Sequence, residues 1–186
     1  MLIPLGILAT TGAAAGPIPA YDLIETVNLA ATATSITFSS ILQDYKHLQI
    51  RYVAKTSTTR NRLCITINGV AGTAYANHQL NGNGSTVAVT NNISQARINI
   101  DNGIAAGTTN IFGGGVIDIV DYKSTTNNKT IRSLSGVIGA DAGNQNRIQL
   151  TSGYVFTTTA LTSLTFAPDV DSFAIGTRFS LYGIKG

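Results

Sequence analysis

Acid–base, metal or thiol chemistry in this chain would have to come from nine carboxylates, two histidines and one cysteine. Glycoside hydrolysis needs two carboxylates facing one sugar, usually beside aromatic platforms. Asp118 and Asp121 stand three apart in an extended segment and so point to opposite faces, and the chain has no tryptophan. Asp169 and Asp171 in "PDVDS" share a direction, but two carboxylates fall short of the six to eight oxygens, roughly, that calcium takes. A Ser/His/Asp arrangement has only His47 and His78 to draw on, and no G-x-S-x-G is present. His47 opens "HLQIRY" and reads as a hydrogen-bonded strand end; His78, before a Gly-rich turn, reads as structural. Cys64 lies inside the apolar run Leu63-Cys64-Ile65, with no second cysteine to pair with, and reads as a small buried hydrophobe. "NGNGS" and "FGGGV" lack the lysine and helix start of a phosphate loop. No catalytic, cofactor or metal site is expected.

The elements that carry these residues are strands. Ile36 and Phe38, then Leu48, Ile50 and Tyr52, then Leu63, Ile65 and Ile67 alternate with their neighbours at a period of two. Asn68-Gly69 closes the third run as a turn. "NGNGST" at 81–86 reads as a turn, and a short strand follows around 97–100. "GGGVIDIVDY" reads as a central strand covered on both faces. Further strands are expected over 130–138, 147–156, 161–166 and 178–184. No window of twelve or more residues holds a clean helical stripe. Nine or ten strands with frequent turns predict an all-β fold, an antiparallel two-sheet sandwich of jelly-roll type; an up-and-down barrel is the alternative.

The 186 residues suffice for one domain, read here as residues 21–186 preceded by an extended arm over 1–20. Leu2, Ile3, Leu5, Ile7 and Leu8 make the arm apolar, so it should be buried, on its own sandwich or on a neighbour. Its interruption by Pro4 and Gly6, and the absence of any basic residue before Lys46, argue against a signal peptide. No stretch reaches the ~20 apolar residues of a membrane helix, and no membrane insertion is expected. In "RFSLYGIKG", Phe179 and Leu181 point one way while Tyr182 and Ile184 point the other. Both faces of this strand should therefore be covered, and Tyr182 and Ile184 join the arm as the expected assembly contact.

Charged residues are only 11% of the chain against about a quarter in ordinary soluble proteins, while hydrophobic residues reach 44%. Such a surface must rest on Thr, Ser, Asn and Gly, which suits a virion or extracellular protein packed among partners. The net charge of +3 forms no run. Arg51, Lys55, Arg60 and Arg62 are the local basic cluster, but they spread over a strand, a loop and the next strand, with Tyr52 on the face opposite Arg51. An edge guarded against stray pairing is the reading, and no nucleic-acid partner is expected.

Four segments in order, "YDLIETVNLAATATSITFSSILQDYKHLQIRYVAKTS", "INGVAGTAYANHQLNGNGS", "GGGVIDIVDYKSTTNNKTIRSLSG" and "RFSLYGIKG", resemble a widespread group of small structural proteins of tailed bacteriophages. The resemblance runs from Tyr21 to Gly186. It implies a non-enzymatic virion component, of the minor tail or tail-fibre type, with related sandwich modules serving as head fibres or capsid cement. The expected partners are copies of itself, as a homotrimer, other virion proteins, and a host cell-surface glycan. Tyr75, His78, Asn81, Asn83 and Ser85 are the expected host-surface loop. A capsid decoration protein is the alternative; a secreted carbohydrate-binding module is another, which the lack of tryptophan disfavours.

Overall fold

The computed structural model describes residues 20–58, 62–107, 110–138 and 146–186. Among them the period-two alternation becomes twelve strands and no helix. They are β1 (Tyr21–Asn28), β2 (Ile36–Phe38), β3 (His47–Ala54), β4 (Leu63–Ile67), β5 (Tyr75–Gly82), β6 (Val87–Gln95), β7 (Ile98–Ile100), β8 (Gly113–Val120), β9 (Lys129–Val137), β10 (Arg147–Val155), β11 (Leu164–Pro168) and β12 (Arg178–Ile184). An eight-stranded sheet runs β1-β12-β3-β8-β9-β10-β5-β6 and a four-stranded sheet runs β2-β11-β4-β7, every pairing antiparallel.

This order is a jelly roll with two insertions. β4 pairs with β7, β3 with β8, β2 with β11 and β1 with β12, as in one long hairpin, and the β3–β12 and β4–β11 contacts roll that hairpin up. The hairpin β5–β6 is inserted between β4 and β7, and β9–β10 between β8 and β11; the two insertions join through β5–β10 and lengthen one sheet by four strands. The sandwich expectation therefore holds, with more strands than the nine or ten expected. The surplus is β5 and β6, whose Asn, Thr and Gln content hides the alternation.

The seam between the sheets is aromatic. Phe179 of β12 stacks on Tyr52 of β3 with centroids 5.2 Å apart and meets Phe166 of β11 at 4.9 Å and Phe173 at 5.5 Å. All four rings are buried, and the Tyr52 hydroxyl donates to Gly103 O at 2.8 Å. Asn68 does two jobs at the end of β4. Its left-handed φ of 51° starts the turn with Gly69, and its Oδ1 accepts from Thr162 N at 2.8 Å and Ser163 N at 3.0 Å.

Beneath the four added strands the inner face is polar, because the smaller sheet ends at β7. Gln149 Nε2 donates to Gln79 Oε1 at 2.8 Å, and Gln79 Nε2 to Asn99 O at 2.7 Å, which also takes Asn77 Nδ2 at 3.2 Å. These amides are buried and each makes at least one hydrogen bond, although Gln149 Oε1 has no partner among the described residues, so a short strand bridges where a hydrophobic layer is missing.

Candidate functional site

Where the larger sheet overhangs the smaller one a polar cleft of about 310 Å³ opens, lined by Arg62, Asn81, Thr90, Asp101, Arg147 and Asp169 among others. Asn81 and Thr90 face inward from β5 and β6, Arg147 starts β10, and the two aspartates follow β7 and β11. Arg62, just ahead of β4, donates to Asp101 and lies 3.5 Å from Asp169; Arg97 donates to Asp169 from the other side. Burial works against the Arg62 cation, and the facing charges of Asp101 and Asp169 outweigh it, so its guanidinium is held above its ordinary range. Each carboxylate is thus matched to a guanidinium. The cleft can offer and accept hydrogen bonds, but its lining includes no aromatic ring on which a sugar or base could stack.

The network is structural in consequence. Asp169 is 15% exposed at its side chain, whereas Arg62 and Arg97 are 38% and 36% exposed, so water shields part of their charge. Asp169→Asn is expected to cost about 1–2 kcal/mol in urea unfolding, below the loss for a fully buried pair. Added salt should narrow the gap between wild type and variant; a gap unchanged by salt would mean that the pairing contributes nothing.

The sequence-expected residues scatter. Tyr75 is not on an exposed loop: it is fully buried, its hydroxyl donating to Val70 O at 2.9 Å and accepting from Ile67 N at 3.1 Å. Asn81 is also buried, in β5 rather than in a turn, where its Oδ1 accepts from Arg147. His78 is exposed on the outer face of the same strand, opposite Ser152 and Asn91. Asn83 and Ser85 do sit at an exposed hairpin tip, with Asn83 Oδ1 accepting from Ser85 N at 3.1 Å and Thr86 N at 2.8 Å. The five residues therefore form no single surface, because strand parity sends 75 and 81 inward and 78 outward.

Tyr182 and Ile184 do face away from the core, as expected, but each is half-buried. Arg51 lies over both the Tyr182 ring, at 5.0 Å, and the Tyr21 ring, at 5.3 Å, and so covers that face from within the chain. Gln49 Oε1 accepts from Arg51 Nε, and Gln49 Nε2 donates to Asp118, both at 2.9 Å. Leu2, Ile3, Leu5, Ile7 and Leu8 lie outside the described residues. Of the basic cluster, Arg60 also lies outside them, Lys55 sits over the Phe112 ring and Arg62 is in the cleft network.

His47 is the strand-end residue expected, its Nδ1 accepting from Asp121 N at 3.0 Å. Asp169 and Asp171 do not converge on a cation: the first faces arginines and the second accepts from Ser57 Oγ at 2.5 Å. Among the described residues no three His, Cys, Asp or Glu side chains group as metal ligands would. Cys64 is buried, and burial pushes its thiol from an ordinary 9.0 up to about 12, with Arg97 pulling back and Asp169 adding to the rise. A thiol reagent at about pH 8 should leave the native chain unmodified and react only after unfolding; native labelling at the unfolded rate would refute the buried placement. Because burial disfavours the thiolate, this group leaves stability unchanged below about pH 9 and lowers it as pH climbs from there toward 12, where the unfolded thiol ionises and the buried one does not.

The charged cleft was not legible in advance. Its members come from separate loops and strand ends, and of them only Arg62, Asn81 and Asp169 had drawn notice, in other roles. No protein-family model matches this chain, and no curated protein matches it either.

Proposed function

We propose that this chain is a non-enzymatic structural protein of a tailed-bacteriophage particle, carried on the tail as a minor tail or fibre module that serves assembly and host attachment. The observation that carries the reading is the ordered set of phage-like segments, because the first, third and fourth of them pack on one another. Tyr45 of "DYKHLQI" lies against Gly183 of "RFSLYGIKG", and Tyr122 of "VIDIVDY" donates to Leu42 O. The second segment, through Asn77 and Gln79 of "YANHQLNGNG", bonds instead to Asn99 of β7, outside the four segments. The resemblance thus falls on positions that depend on each other.

In this reading the apolar leader anchors the module to the particle, and the polar cleft together with the Asn83–Ser85 hairpin tip is available to a host glycan through hydrogen bonds. The same module on the head, as a decoration or cement protein, is the second reading, favoured because the described residues hold no helix for a coiled-coil shaft. Gold-labelled antibody on purified virions separates them. Label at the tail supports the first, label spread over the head supports the second, and unlabelled particles from infected cells that contain the protein would refute both.

A further inference from the structure

The outer face of the four added strands is unlike the rest of the surface. Sixteen large apolar side chains are exposed among the described residues, and ten of them lie on β5, β6, β9 and β10 or immediately beyond. In register across the sheet, Leu134, Leu150, Leu80 and Val89 form one straight row, with Ile148 and Val87 in the row beside it. Their exposures run from 46% for Leu80 to 79% for Val89. A polar lane follows, Arg132-Ser152-His78-Asn91, and beyond it lie Tyr154, Phe156 and Ile93.

The ten side chains, on the two sides of the polar lane, expose on the order of 1,000 Å² in total, where a typical monomer's largest contiguous apolar patch is about 300–600 Å². That total is also about the 800 Å² or so that each partner buries in a stable dimer. The neighbouring edge is equally bare. β2 and β7 are three-residue edges, and β1 carries Asp22, Glu25 and a bulge, whereas β6 runs nine residues, VAVTNNISQ, without a charge or a proline. A long uncharged edge beside an apolar face is a surface that chains in free solution avoid leaving open.

We propose that this face binds a second copy of the chain, sheet against sheet, about a twofold axis parallel to the strands and passing between β10 and β5. The register is self-complementary about that axis. Leu150 meets Leu80 of the second copy, Leu134 meets Val89, Ser152 meets His78 and Arg132 meets Asn91, so apolar rows coincide and no charge faces its like. Sheets packed this way lie about 10 Å apart with both inner faces interdigitated. The contact is independent of where in a particle the chain sits. Being twofold, it differs from the trimer expected from the sequence.

Sedimentation velocity of the full chain at micromolar concentration tests it. The wild type should run at twice the 19.4 kDa chain mass. Leu150→Lys and Leu80→Glu, both on the exposed face, should each keep the wild-type circular dichroism and run as monomers. Mixing the two variants should restore a dimer. The lysine introduced at position 150 of one chain then meets the glutamate introduced at position 80 of the other, while the second Leu150–Leu80 contact remains. A monomeric or trimeric wild type would overturn the proposal, and so would monomeric variants that stay apart when mixed.

Discussion

Phe179→Ala should cost about 3–5 kcal/mol, the range for deleting a buried aromatic side chain and leaving its cavity. The ring is fully buried and touches three other rings: Tyr52 in its own sheet, Phe166 in the opposite sheet and Phe173 in the connection between β11 and β12. None of these can close the gap alone, because each is pinned by its own strand or by a bridge such as Ala33–Phe173. For a domain whose whole stability is about 5–15 kcal/mol, such a loss leaves little margin. The melting temperature should fall by roughly 6–20 °C at this chain length. Leu42→Ala is the control, since Leu42 is 61% exposed, and should stay within about 0.5 kcal/mol. Equal effects from the two would remove Phe179 from the seam.

The second large effect comes from adding a methyl group. A Cβ at Gly183 would fall far inside van der Waals contact of the Tyr45 ring, nearest its Cγ, Cδ1 and Cδ2 atoms. Gly183 lies within β12, between Asp22 of β1 and Leu48 of β3, in ordinary extended backbone, so the cost of alanine there is steric rather than torsional. The ring cannot swing away freely, because Tyr45 is partly buried and packed against the core, and its backbone N is held 3.4 Å from the Tyr122 hydroxyl. Gly183→Ala should therefore destabilise by about 2–3 kcal/mol. In a Tyr45→Ala background the same change should cost close to nothing, a coupling of about 2 kcal/mol that a double-mutant cycle in urea would measure. Additive effects would show that the ring does not occupy the glycine's space.

Parts of this molecule were open to a reader of the sequence and parts were not. The alternation in β3, β4 and β12 marked the inward set Leu48, Ile50, Tyr52, Leu63, Ile65, Ile67, Phe179 and Leu181, all of them buried. Asn68-Gly69 marked a turn, His47 a bonded strand end and Cys64 a buried thiol. Tyr75 was misread because a tyrosine suits a wet surface or a core with a hydroxyl partner, and its partners here, Ile67 and Val70, belong to the segment before it. β6 escaped notice because it is solvated over most of both faces, so nothing selects for apolar alternation along it. The charged cleft had no local signature, since Arg62, Arg97, Asp101 and Asp169 meet only when β4, β7 and β11 are laid side by side.

That the protein is all-β, and largely which side of each strand turns inward, is written in the order of its residues. Side-chain alternation is a property of a few consecutive positions, and burial follows it wherever a second layer is present. Which strands are neighbours, and where that second layer stops, was settled by the folded chain alone. The four-stranded sheet ends at β7, so the strands beyond it carry amides on one face and bare leucines and valines on the other. Coverage depends on pairings between residues as far apart as Leu80 and Leu150, and no local pattern encodes a contact of that range.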